Sequence, residues 1–282
     1  MTQLLLKTPD FPALTGVSAI QPPFVLLDFE YTSFSHENGR IVMIGLGVVM
    51  KDRPPVYEDF LVQTPYDPWI WGSHSRTDTF LNALDQHGVD RHLILHWADE
   101  NGGSILECPH LPEEIKNQCN SSGKRVFECS YDVHKIHPHR TLAEGIGRRD
   151  ALEMLTTLLR SSLDKGWPLV GHNIYQADLP LLQRELRREG FGDLEIDYEL
   201  VLDTGLLCKA FQCNLQFQSD RKAFYAKVAG MRRKGVQWSL QKYCVPQFGL
   251  HELGVDSSRQ HTSAAYDCFV VHKLMEAVRL IA

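Results

Sequence analysis

Apolar residues form continuous runs typical of β-strands in the first part of the chain, and they recur at helical spacing in the later part. Three apolar runs, at 24–30, 40–49 and 56–64, follow one another closely and predict an antiparallel meander of β-strands. From residue 148 onward, strands and helices are predicted to alternate. The predicted helices cover 148–163, 178–190, 205–211, 239–245 and 263–280, and the predicted strands cover 168–173 and 200–205. This order favours an α/β fold with a mixed sheet flanked by helices.

The pattern loosens between these two parts, and this divides the chain into regions. Residues 66–130 have only short helical stretches, at 78–88 and 111–119, and are interpreted as an insertion after the third strand. Residues 1–23 are predicted to be an N-terminal extension that ends at two prolines. The remaining chain, 24–282, is long enough to bury one sizeable core and is predicted to be a single domain that contains the insertion.

Charge and cysteine content narrow the possible partners. The net charge is -6 and the sequence pI is about 6.1, so any contact with a polyanion has to be made by a local patch. Seven cysteines without closely spaced pairs indicate reduced thiols rather than a secreted disulfide framework. No apolar stretch reaches membrane-spanning length. We therefore expect an intracellular protein, cytoplasmic or nuclear, without a membrane partner.

Four acidic residues occur on elements that are otherwise apolar. Asp28 and Glu30 point to the same side of the first strand, where two like charges repel each other. Asp178 follows a predicted buried strand, and Asp267 lies on the last predicted helix. If these carboxylates converge, divalent cations would offset the repulsion, and oxygen-only ligands favour Mg²⁺ or Mn²⁺. For the first pair taken alone, the solvated end of an edge strand is the favoured interpretation, and the two further acids reverse this preference.

The acids stand in segments that resemble the DEDD 3′-5′ exonuclease family, in its histidine-bearing subclass, which has the ribonuclease H-like fold. The matching segments are Asp28–Ser33 with the following strand, 132–146, 170–182, 202–207, and His261 with Asp267. The resemblance covers about 24–65 and 130–280 in the order of the family. One additional residue stands before Asp178 and one before Asp267, both at junctions between a loop and a helix.

The resemblance implies a function and a role for each acid. Asp28, Glu30, Asp178 and Asp267 would hold two Mg²⁺ or Mn²⁺ ions at the scissile phosphate, and His261 would accept the proton of the attacking water. The expected reaction is hydrolysis from the 3′ end of DNA or RNA, with release of nucleoside 5′-monophosphates.

Single-stranded or 3′-tailed nucleic acid is the partner that this reaction requires, and several residues are candidates to bind it. These candidates are Tyr31, Thr32, Asn173, Arg184, Arg232, Arg233 and Lys234. The last three belong to the stretch 221–235, which is rich in Arg and Lys and could equally be a solvated helical face. In the binding interpretation, bases stack on Phe224 and Tyr225, and Arg187 and Arg188 extend the phosphate contacts.

Other conspicuous polar residues are interpreted as structural. We expect His172 to be a satisfied packing residue, Asn173 to fix a turn through its side-chain amide, and Asp203 to cap the helix that follows it. Six residues in and after the insertion could be considered for zinc, but their spacing lacks a CxxC pair, so thiols without metal are the favoured interpretation. They are Cys108, His110, Cys119, Cys129, His134 and His137.

Three alternatives to the exonuclease hypothesis stay open. The first is a catalytically silent module that binds nucleic acid or a partner, although such a module would not need four repelling carboxylates. The second is an exonuclease subunit of a larger assembly, which would contact a partner protein through the 66–130 insertion. The third is another metal-dependent phosphodiesterase that acts on a small substrate.

Overall fold

A five-stranded sheet is the framework of the protein, seen in a computed structural model that describes residues 17–32, 39–64, 77–101, 108–120, 134–136, 138–259 and 263–281. The strands are β1 (Phe24–Tyr31), β2 (Ile41–Met50), β3 (Arg53–Leu61), β4 (Leu169–Gly171) and β5 (Val201–Asp203). Their order across the sheet is β3-β2-β1-β4-β5.

The sheet is mixed, as predicted. Lys51 and Asp52 alone connect β2 to β3, and such a short connection can join only antiparallel strands. The connection from β1 to β2 is also too short for a parallel crossover, and the Thr32 N–H donates to the Arg40 carbonyl over 2.9 Å. On the other side, β1 pairs with β4 and β4 with β5 in parallel, with Gly171 opposite Asp203.

Helices flank the sheet, and most of them lie where the apolar spacing predicts them. They are α1 (Thr77–Gln86), α2 (Arg91–Asn101), α3 (Glu113–Asn120), α4 (Pro138–Glu144), α5 (Arg148–Asp164), α6 (Asp178–Arg188), α7 (Thr204–Gln212), α8 (Arg221–Gly230), α9 (Val245–Gln247) and α10 (Ala264–Ala277). A π-helical turn, Leu240–Cys244, runs directly into α9. Helices α2 and α4 were not predicted, and α8 was expected only in the interpretation of 221–235 as a solvated helical face.

Burial follows the sequence pattern closely in the central strand and the long helix. In β1 the run from Phe24 to Leu27 is at most 1% exposed. On α5, the spacing of five leucines predicts one shared face, of which Leu152, Leu155 and Leu159 are buried. Leu158 and Leu163, at the edge of this face, are partly exposed. At about 25 cal/mol per Å² of buried apolar surface, the fully buried side chains contribute roughly 2 kcal/mol each.

The chain forms two compact units. The first contains residues 1–28, 45–59 and 154–282, and the second contains 29–44 and 60–153. The predicted insertion, 66–130, falls within the second unit. In the first unit, the end of the predicted N-terminal extension is part of the packed structure, because Ile20 is buried and its N–H donates to the Leu280 carbonyl over 2.8 Å.

Within the described part of the chain, every helix is either too short or too polar to span a bilayer.

Candidate metal centre and nucleic-acid interface

Three of the predicted acids meet at one place in the structure. Asp28 and Glu30 are two residues apart on β1 and so share a face of the strand, and Asp267 lies in the first turn of α10. One ligand oxygen from each residue lies within 4.8 Å of those of the other two. Among the described residues, this is the one group of three or more His, Cys, Asp or Glu side chains with such spacing.

The donor set suits a hard divalent cation. All donors are carboxylate oxygens, which Mg²⁺ and Mn²⁺ prefer, and none is a thiolate or imidazole. Glu30 is 7% exposed and Asp267 3%, and Asp28 is half-buried. Like charges at this separation are costly away from bulk water, and a cation between them removes that cost. The residues therefore fit a metal ion.

Asp178, the fourth predicted acid, is not a member of this group. It is the first residue of α6 and is 3% exposed. Asp178 and two members of the group act on one common residue, Cys268, the neighbour of Asp267 on α10. Burial, and then the charges of Asp28, Asp267 and Asp178, raise the pKa of the Cys268 thiol well above its ordinary value. The charges of Asp178 and of two members of the group therefore affect the same thiol.

A glycine and a cap position the first turn of α10, which carries Asp267. A Cβ placed on Gly45 of β2 would lie 2.2 Å from the carbonyl carbon of Ala264, so only glycine allows the strand and the helix to approach this closely. Ser263 caps the helix by accepting the Tyr266 N–H over 3.1 Å, and its hydroxyl donates to Asp59 of β3. Asp59 has no signal in the sequence, because nothing in its local pattern indicates a partner on the last helix.

Asp203 holds the turn between β4 and α6 as well as capping α7. Its carboxylate accepts the Leu206 N–H over 2.9 Å, which confirms the predicted helix cap. It also accepts the N–H groups of Asn173 and Tyr175, each over 3.0 Å. Burial raises the pKa of Asp203 to about 6, and these hydrogen bonds oppose the shift. The second role depends on the pairing of β4 with β5 and has no signal in the sequence.

His172 is a satisfied structural histidine, as predicted. Its Nε2 lies 2.6 Å from the Trp238 carbonyl, which can only accept, so Nε2 carries the proton. Its Nδ1 lies 3.0 Å from the Thr204 hydroxyl. Burial lowers the pKa of His172 to about 4, so the ring is neutral at pH 7.

Asn173 fixes the same turn through its backbone rather than through its side-chain amide, which corrects the prediction. Its φ of 64° is left-handed, and its carbonyl accepts the N–H groups of Gln176 and Ala177 over 3.0 and 2.9 Å. The side-chain oxygen is buried without a hydrogen-bond partner among the described residues. A Cβ on Gly205 would lie 2.6 Å from that oxygen, so α7 packs directly against the turn.

The other residues near β1 and α6 that were predicted to contact nucleic acid differ in how far their side chains are buried. Tyr31 is half-buried at the end of β1, and Arg184 is half-buried on α6, where burial lowers its pKa. Thr32 is fully buried, and its hydroxyl accepts the Arg40 N–H over 2.9 Å. This position does not favour the contact predicted for Thr32.

The basic stretch 221–235 is not a continuous helical face. Helix α8 ends at Gly230, and Arg232, Arg233 and Lys234 lie exposed in the loop that follows. Stacking of bases on Phe224 and Tyr225 was wrongly predicted, because these side chains are at most 1% exposed. Both face the core, and the Tyr225 hydroxyl donates to the Val201 carbonyl over 3.1 Å.

Two arginines of α6 that were predicted to extend the phosphate contacts form ion pairs within the protein instead. Arg187 pairs with Asp193 at 2.7 Å, and Arg188 pairs with the buried Glu185 at 3.0 Å. The second pair restrains Arg188 more strongly, because its partner is removed from solvent. Both arginines are therefore engaged within the protein.

Some of the cysteines and histidines that were considered for zinc lie in the described part of the chain. Cys108 is a buried free thiol, and His134 is buried with Nδ1 accepting the Ile136 N–H over 3.0 Å. Cys129 and His137 lie outside the described residues, as does the side chain of Cys119. The part that is described forms no metal-ligating group of three.

The predicted general base, His261, also lies outside the described residues, which stop at Arg259 and resume at Ser263. Its proposed role stays a prediction.

Solved structures of E. coli exonuclease I are similar to this chain. Its zinc-bound complex with single-stranded DNA has a TM-score of 0.48 and 11% identity and covers 91% of this chain and 41% of that one. A complex with a dA16 oligonucleotide has a TM-score of 0.48 and 13% identity and covers 92% and 42%. The ExoI/SSB-Ct complex has a TM-score of 0.47 and 12% identity and covers 93% and 43%.

The chain thus spans about two fifths of the length of these structures. Similarity of this degree says nothing about individual residues, whose roles depend on the geometry of this chain. No protein-family model and no curated protein matches the sequence.

Proposed function

We propose that this protein is a divalent-metal-dependent 3′-5′ exonuclease that hydrolyses phosphodiester bonds of DNA or RNA and releases nucleoside 5′-monophosphates. The observation that carries the proposal is the convergence of Asp28, Glu30 and Asp267 within 4.8 Å of one another. A protein that only binds nucleic acid gains nothing from this repulsion, whereas a metal-dependent hydrolase requires such a group.

Each acid has a distinct part in this proposal. Asp28, Glu30 and Asp267 would hold Mg²⁺ or Mn²⁺, and Asp178 would complete the ligands of a second ion from the start of α6. When bound, the metal pair supplies an activated water and neutralises charge on the scissile phosphate. Burial of Glu30 and Asp267 excludes bulk water around their oxygens, which strengthens every electrostatic interaction there.

The remaining proposed roles concern the proton and the substrate. His261 would accept the proton of the attacking water, since an imidazole changes charge near neutral pH. The residues proposed to contact single-stranded or 3′-tailed nucleic acid are Tyr31, Asn173, Arg184, Arg232, Arg233 and Lys234. The predicted insertion would be the contact for any partner protein.

The proposal can be tested with oligonucleotides labelled at the 5′ end. Single-stranded DNA and RNA of equal length are incubated with the protein and Mg²⁺, Mn²⁺ or EDTA. We expect a ladder that shortens from the 3′ end with Mg²⁺ or Mn²⁺ and no shortening with EDTA. Chromatography should identify the released product as nucleoside 5′-monophosphate.

Two variants make the assay specific to the candidate centre. Asp28→Asn removes one ligand charge and should abolish the ladder. Asp164→Asn changes an exposed carboxylate at the end of α5 and should leave the ladder unchanged. Binding of the oligonucleotides without cleavage under any metal condition would instead favour the silent binding module, and cleavage of small phosphodiesters alone would favour the third alternative.

A further inference from the structure

The loop after α8 carries concentrated positive charge and is attached to the protein at both ends. This loop, residues 231–236 and called the basic loop below, presents Arg232, Arg233 and Lys234, all exposed. None of the described acidic residues forms an ion pair with these three side chains. Their charges are therefore available to an anionic ligand.

A nearly buried lysine on α7 holds the start of the basic loop. Lys209 is 3% exposed, and its ammonium donates to the Ala229 carbonyl at the end of α8 over 3.1 Å. The same nitrogen lies 4.6 Å from the ring centroid of Trp238, just beyond the loop. Burial lowers the pKa of Lys209. One side chain thus contacts the chain on both sides of the loop.

A glutamine on the same helix holds the other end. The Gln212 side-chain oxygen accepts the Gln237 N–H over 3.1 Å, and its amide nitrogen donates to the Gln237 carbonyl over 2.5 Å. These two hydrogen bonds hold both the backbone N–H and the backbone carbonyl of Gln237. Because Gln212 is neutral, it can position the loop but cannot itself attract a phosphate.

The end of the loop is also joined to the turn that leads to Asp178. The Trp238 carbonyl accepts the His172 Nε2–H over 2.6 Å, and His172 is the first residue after β4. Asn173, the next residue, is bonded to Asp203. A continuous set of hydrogen bonds therefore runs from the basic loop to the segment that places one of the proposed metal ligands.

We propose that the basic loop is a preorganised binding element for the phosphate backbone of single-stranded nucleic acid, and that Gln212 and Lys209 are its positioning residues. The proposal rests on the exonuclease function proposed above and adds a specific substrate-binding element to it. A flexible basic segment loses entropy on binding, whereas a loop fixed at both ends has already paid this cost. The three exposed charges then meet phosphates in a defined arrangement.

Salt dependence of binding measures phosphate contacts directly. For single strands, the slope of log K against log salt changes by about 0.7 for each phosphate neutralised. We would measure binding of a labelled dT oligonucleotide in EDTA, at several salt concentrations, for the wild type and three variants. The variants are Arg232→Ala/Arg233→Ala/Lys234→Ala, Gln212→Ala, and Arg160→Ala as a control on the exposed side of α5.

We expect the triple variant to reduce the slope by about 2. Gln212→Ala removes no charge, so a reduction of about 0.7 or more in its slope would report lost positioning. Arg160→Ala should behave as the wild type. The melting temperature of each variant is measured in parallel, and a purely structural role of Gln212 would lower it without changing the slope.

Two results would overturn the proposal. An unchanged slope for the triple variant would mean that the basic loop does not contact phosphates. A reduced slope for the triple variant with an unchanged slope for Gln212→Ala would mean that the loop is not preorganised by this contact. Cleavage by the wild type in Mg²⁺ keeps either failure distinct from failure of the proposed exonuclease, in which the wild type would not cleave in any metal.

Discussion

Asp267 shows at the scale of a single residue how stability and proposed activity oppose each other. Its carboxylate is buried within 4.8 Å of two others, so without metal it contributes repulsion to the folded state. Replacing it with Asn keeps its shape and removes its charge. We expect Asp267→Asn to lower metal-dependent cleavage by about a thousandfold or more, since metal ligation supplies several kcal/mol to the transition state.

The same substitution should not lower the melting temperature measured in EDTA, because it relieves repulsion. A comparable loss of activity and of stability in EDTA would contradict this and would indicate that Asp267 is needed for folding.

His172 and Asp203 make opposite contributions to the pH dependence of stability. The pKa of His172 falls from 6.5 to about 4 on folding, so its contribution to the free energy of unfolding is present above pH 6.5 and is lost as the pH falls toward 4. The pKa of Asp203 rises from 3.8 to about 6, so its contribution is present at low pH and is lost as the pH rises toward 6. Each amounts to about 3 kcal/mol at most.

These two contributions nearly cancel between about pH 4 and pH 6 in the wild type. Asp203→Asn should therefore make the protein lose stability steeply on acidification, and His172→Gln should give the opposite slope. Urea unfolding at several pH values measures both. Equal pH profiles for the wild type and Asp203→Asn would show that the Asp203 carboxyl does not titrate in this range.

At the scale of elements, the approach of β2 to α10 decides where Asp267 lies. A Cβ at Gly45 would overlap the backbone of Ala264, so Gly45→Ala must displace the first turn of α10. We expect a loss of about 1 to 3 kcal/mol in the free energy of unfolding, as for other overpacked sites, with reduced cleavage. Denaturant unfolding and the oligonucleotide assay measure the two effects.

Gly230 at the end of α8 offers a matched control. A Cβ there would meet nothing within 4 Å, and its φ is not left-handed. Gly230→Ala should therefore leave stability unchanged or slightly raised. If Gly45→Ala were as well tolerated as this control, close packing of β2 on α10 would not be required.

Elements whose burial depends on their own residues were predictable, and those that depend on distant partners were not. The continuous apolar run in β1 and the leucine spacing in α5 predict the burial of these elements directly. The local sequence around Phe224 and Tyr225 on α8 is compatible both with a solvated helix face and with a packed one. The burial of this pair is decided by contacts of Tyr225 with β5, some 22 residues away in sequence.

At the scale of the whole molecule, metal binding should couple to global unfolding. Asp28 lies near the start of the chain and Asp267 near its end, so the two carboxylates are brought together only in the folded state. A metal that binds only the folded state stabilises it by about 1.4 kcal/mol at ten times its dissociation constant. We expect Mg²⁺ or Mn²⁺ to raise the melting temperature and EDTA to reverse the effect.

The variant Asp28→Asn/Asp267→Asn supplies the control for this measurement. Its melting temperature should not respond to either metal. A response equal to that of the wild type would place the metal elsewhere in the molecule.

The mixed sheet, most of the helices and the three acids that cluster were predictable from the sequence, because apolar runs, apolar spacing and acids on apolar elements are properties of neighbouring residues. The sequence alone did not show that Asp178 stands outside the group of three. Tertiary structure alone decided the role of Asp203 in the turn between β4 and α6, the close contact of Gly45 with α10 and the anchoring of the basic loop by Gln212. Each of these contacts joins residues that are far apart in sequence, and a hydrogen bond or a steric limit between such residues exists only after the chain has folded.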